Sequence, residues 1–119
     1  MADIADLSSR RVFTHLAEIA GAEARADRYL RQARRFAADG AAAVLGRFRP
    51  TITVLADLRA GILDAMDRAR YDEGDIALLA GVELERARTF LRGSDVVDPF
   101  DALRLAMIAG VGVPLSGRR

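Results

Sequence analysis

At 119 residues, 51% hydrophobic and 29% charged, the chain is balanced for one folded domain and not for a disordered segment. It has no cysteine and one histidine, His15, which excludes disulfides, thiolate or histidine-cluster metal sites and a cysteine nucleophile. The absence of tryptophan, 6% aromatics and a net charge of +1 argue against a single-strand stacking platform and a polycation, leaving a binding module with no cofactor and no catalytic chemistry.

Alanine fills 23 positions, and alanine is the best helix former. All 18 basic residues are arginine, whose forks match carboxylates and phosphates in pairs of hydrogen bonds. Residues 1–50 carry nine arginines against six acids, a balance of +3. Residues 51–119 carry nine against eleven, a balance of −2. The opening Met1-Ala2-Asp3-Ile4-Ala5-Asp6 lacks a basic leader and an apolar run, and no stretch is long enough to span a membrane. A cytoplasmic location is the expectation.

Taken in chain order, every periodic segment reads as helix. The first runs from about Ser9 to Ala38, with Ser8 or Ser9 as cap and Val12, Leu16, Ile19, Leu30, Ala33 and Ala37 at helical steps. Gly21 lies inside it, so the segment is either continuous or two pieces meeting there. Its apolar residues, Phe13 and Phe36 among them, form either an internal core or a dimer seam. The arginines Arg25, Arg28, Arg31, Arg34 and Arg35 make a stripe, read as a solvated face partly paired with Glu23 and Asp27, or else as a surface for phosphates, an acidic partner or anionic lipid. His15 reads as a surface or half-buried side chain.

Asp39-Gly40 reads as a stop, followed by a short helical piece from Ala41 to Phe48. Pro50 forces Arg49 out of the helical region, which makes 49–53 the predicted boundary between an N-terminal segment, 1–50, and a second domain, 51–119. Thr51 or Thr53 caps the next helix, Val54 to Arg70, with a stripe of Leu55, Leu58, Ile62, Met66 and Ala69.

Asp72-Glu73-Gly74-Asp75 is a turn opening a short helix, Asp75 to Ala80. Gly81 follows, then a second short helix from Glu83 to Arg92, stopped by Gly93. Ser94 to Val97 form a loop. Asp98 with Pro99 starts a last helix that runs through Leu103, Leu105 and Ile108 to Gly110. Ser116-Gly117-Arg118-Arg119 reads as a basic tail or a frayed end.

Two short helices joined at a glycine need a small residue where they cross and apolar residues in the wedge. Ala77 is the small residue, Gly81 gives the turn its backbone freedom, and Ile76, Ala80, Val82, Ala87 and Phe90 fill the wedge. The run Asp75-Ile76-Ala77-Leu78-Leu79-Ala80-Gly81-Val82, with the helices on either side, resembles the Cro/phage-repressor (lambda-repressor-like) helix-turn-helix family over residues 54–113. Residues 1–50 match no family, so the periodicity alone makes them an N-terminal helical segment of an all-α chain; the resemblance implies a helix-turn-helix domain beside it and sequence-specific binding of double-stranded DNA in transcriptional control.

The second helix opens Glu83-Leu84-Glu85, where family members usually carry small hydroxyl or amide residues. Its outward face comprises Glu85, Arg88, Thr89 and Arg92. Arg88 and Thr89 are placed to read base edges, Glu85 to accept from cytosine, and Arg86 and Arg92 to hold phosphates. A rival reading keeps the helix pair but docks it on RNA polymerase or another regulator, with no base readout. Because one helix-turn-helix covers few base pairs, residues 1–50 are expected to form a homodimer through Val12, Leu16, Ile19 and Leu30.

Overall fold

The computed structural model describes the backbone of residues 2–116 and the side chains of residues 21, 22 and 24–116. It is all-α, with no strand among the described residues. The order is α1 (Ala2–Val44), a 3₁₀ turn (Leu45–Arg47), α2 (Ile52–Ala69), α3 (Glu73–Ala80), α4 (Leu84–Leu91) and α5 (Pro99–Ala109). No helix among the described residues is long and apolar enough to cross a membrane.

The helix starts follow from local chemistry. Thr51 takes the Val54 amide on its hydroxyl and caps α2. Asp72 and Asp75 bond each other's backbone amides, at 2.8 and 3.0 Å, so α3 begins at Glu73. Asp98 accepts from the Phe100 amide, and Pro99 is the first residue of α5.

The four helices α2 to α5 also end alike, with a pair of reversed backbone bonds that satisfy their last carbonyls. At the end of α3, for example, Gly81 donates to Leu78 and Val82 donates to Ala77. Gly81 turns the chain at φ +72°, a conformation costly for any residue with a Cβ. The corresponding residue of α2 is Arg70, at φ 60°.

The chain divides into two units, Met1–Arg31 and Gln32–Arg119. In the second, α5 packs on α2, α3 and α4, and it is buried nearly all round through Asp101, Ala102, Leu103, Leu105 and Ala106. Leu55, Leu58, Ile62 and Met66 of α2, and Ile76, Ala77 and Ala80 of α3, complete most of its surroundings. Gly61 lets the chain after α5 come close, since a Cβ there would lie 2.9 Å from Val111 Cγ1.

Several expectations are corrected. Asp39-Gly40 does not stop the first helix, which runs on to Val44. Gly40 serves close packing instead: a Cβ there would stand 2.9 Å from the Met107 sulfur of α5. Of the two readings open at Gly21 the continuous helix is the one found, and Ser8 and Ser9 fall inside it and not at its start, because it begins at Ala2. Residues 32–50 fall in the same compact unit as 51–119. Pro50 ends a helix without ending a unit, because Ala37, Ala41 and Phe48 are buried. Burial of Phe48 alone contributes roughly 1.5–3 kcal/mol.

Ala69 is exposed and drops out of the α2 stripe, and Phe36 of α1 is 59% exposed. Leu30 is half-buried. The side chains of Val12, Phe13, His15, Leu16, Ile19 and Glu23, and all of Gly117-Arg118-Arg119, lie outside the described residues.

Candidate functional site

The seven positions expected to shape the α3–α4 pair take their places. Ile76, Ala77, Ala80, Val82, Ala87 and Phe90 are buried, and Gly81 turns the chain between the helices. At its far end, α4 closes on Gly93 and Ser94, which donate to the carbonyls of Phe90 and Thr89.

Sequence reasoning passed over Arg59, which holds that end in place. From α2, its Nε donates to the Phe90 carbonyl and one terminal nitrogen to the Ser94 carbonyl, both at 2.6 Å. The guanidinium lies 4.9 Å from the centre of the Phe90 ring. A cation at a helix C-terminus also meets the negative end of the helix dipole. Nothing local marks this arginine, because its partners lie more than 30 residues away in the chain. Arg34 of α1 does the same for α3, donating from Nε to the Leu78 carbonyl at 2.9 Å.

The polar face of α4 is assembled from the five residues singled out in the sequence. Each already has a partner within the chain. Arg86 donates from Nε to Asp101 at 2.8 Å. Arg88 reaches Glu85 at 3.2 Å and lies 3.3 Å from Glu73. Arg92 grips both oxygens of Glu73, at 2.9 and 3.1 Å. Thr89 donates its hydroxyl to the Glu85 carbonyl one turn back.

Two carboxylates organise these cations, and neither stood among the candidate residues. Asp101 is buried on α5 and takes Arg104 as well as Arg86. Its pairing with Arg104, three residues on, is legible in the sequence; its pairing with Arg86 is not. Arg104 also stacks over Phe100, 4.8 Å from the ring centre. Glu73 stands at the first residue of α3 and joins it to the last turn of α4.

Charge regulation follows this geometry. The hydrogen bonds from Arg92, then the nearby charges of Arg92 and Arg88, hold the Glu73 carboxyl below its ordinary value of 4.5 despite partial burial. Glu73 is therefore a full anion at neutral pH. Asp101 raises Arg86 by hydrogen bond and charge, and Glu73 raises Arg92 in the same way.

Around the turn, Arg34, Ala77, Leu78, Val82, Glu83 and Leu84 line an open groove. Leu78 and Leu84 are its exposed apolar side chains. Among the described residues, no group of three or more His, Asp or Glu side chains is gathered to hold a metal ion. The chain matches no family model, no curated protein and no solved structure.

Proposed function

We propose that this chain is a sequence-specific DNA-binding regulator of transcription, using α3 and α4 as a helix-turn-helix of the Cro/phage-repressor kind. The observation that carries the reading is the small, buried wedge of Ala77, Ala80, Val82, Ala87 and Phe90 around Gly81, with an arginine-bearing face on α4. A helix held in this way can lie in a major groove with its first turns toward base edges. Arg88, Thr89 and Glu85 then read bases, while Arg86 and Arg92 hold phosphates. Two copies bind half-sites about 34 Å apart as a homodimer.

One observation favours a second reading. Arg86 and Arg88 of α4, and Arg92 just after it, already face carboxylates of their own chain, which suits a helix pair that docks RNA polymerase or another regulator without base readout.

Salt dependence separates the two. Binding of the full chain to duplex DNA should weaken along log[salt] with a slope of about −0.9 per phosphate contacted. Arg86→Ala and Arg92→Ala should weaken binding on all sequences alike and each flatten that slope. Duplex binding that ignores salt would move the assignment to protein docking, as would no binding at all.

A further inference from the structure

We infer that Glu73 sets the strength of this DNA contact from inside the protein, by holding Arg88 and Arg92 on its own carboxylate until a base edge takes Arg88 and a phosphate takes Arg92. The inference rests on the DNA-binding reading above.

Three observations support it. The first is the edge of Arg92 that is engaged. Its Nε and one terminal nitrogen both point at Glu73, at 3.1 and 2.9 Å. That is the paired edge with which arginine grips a phosphate or a guanine. Arg88 is held from two sides, by Glu73 at 3.3 Å and Glu85 at 3.2 Å. Neither arginine can present its full fork while these contacts stand.

The second observation is that Glu73 is partly buried on an anchored stretch of backbone. Its side chain is 26% exposed, and the reciprocal Asp72–Asp75 cap fixes the backbone on either side of it. The third is its position on the helix. A carboxylate in the first turn of α3 meets the positive end of the helix dipole, which keeps it ionised after an arginine leaves. The protein thus carries its own competing anion beside the face that would meet DNA. Binding exchanges one anion for another, so the net gain per arginine is smaller than that of a free side chain.

The test is fluorescence anisotropy on duplex DNA at several salt concentrations, with thermal unfolding to verify the fold of each variant. Glu73→Gln should bind about 3- to 10-fold tighter than the unaltered chain at low salt, the size of one or two released surface ion pairs, and with a steeper salt slope. Glu73→Asp keeps the charge at the helix start but shortens its reach, and should shift affinity in the same direction by less. In an Arg88→Ala/Arg92→Ala background, Glu73→Gln should change nothing. If the unaltered chain binds and Glu73→Gln binds equally or more weakly, the inference fails and the DNA reading stands. A gain that persists in the double-alanine background marks a general field effect and also overturns it. No duplex binding by any of these proteins removes the reading and the inference together.

Discussion

Asp101 is a buried carboxylate inside α5, and its two arginines differ in what they can do without it. Arg86 is 54% exposed and can return to water, whereas the Arg104 side chain is only 16% exposed. Removing one member of such a set leaves a poorly hydrated charge behind. Asp101→Asn should therefore destabilise the chain by about 1–3 kcal/mol, read by urea unfolding. Arg86→Gln should cost less, because Arg104 still neutralises the acid. Equal costs would show that the Arg104 pair contributes little. The sequence offers no sign of this arrangement beyond the spacing of Asp101 and Arg104, since the third member is 15 residues upstream.

At the level of the helices, what is legible is what is local. Thr51, Asp98 and Pro99 announce their helices because a cap acts within three residues. The stripe from Leu55 to Met66 and the wedge around Gly81 are visible because burial follows helical periodicity. Gly40 misleads for a related reason. A glycine after Asp reads as a stop, yet here it lies inside α1, and its missing Cβ leaves room for Met107. Arg59 and Glu73 are invisible for want of any local signal, since their partners arrive only when the helices pack. Arg70 is the opposite case, a side chain at φ 60° where α3 and α5 have glycine. Its left-handed conformation costs about 1–2 kcal/mol, part of which glycine would return as unfolded-state entropy. Arg70→Gly should stabilise the chain by about 0.5–1 kcal/mol in a thermal melt. A loss of stability would mean that the Arg70 side chain makes a favourable contact outweighing that strain.

For the whole molecule, the position of the division decides what can be removed. The unit Gln32–Arg119 contains the buried cluster with its α1 contribution, Ala41, and with Phe48. Deleting residues 1–31 should leave a cooperatively unfolding protein. Deleting residues 1–50 strips Ala37, Ala41 and Phe48 from their buried places. Loss of the Phe48 side chain alone should cost about 3–5 kcal/mol. Circular dichroism melts of the two truncations compare them directly. Similar cooperative melts would return the boundary to 49–53. If the N-terminal segment pairs two copies, the full chain sediments as a dimer and 32–119 as a monomer; a monomeric full chain at micromolar concentration removes the homodimer.

The residues of α4 proposed to meet DNA are also those that hold α3, α4 and α5 together, so stability and recognition share side chains. Arg88 distinguishes the two roles best, because its role at a base edge is specific to sequence while a fold contact is not. The measurement is the affinity of the full chain and of Arg88→Ala, each shown to be folded, for the preferred duplex selected from random fragments and for an unrelated duplex. The expected loss is about 1–3 kcal/mol on the preferred site and little on the other. Equal losses on both duplexes, or none on either, would contradict sequence readout through α4.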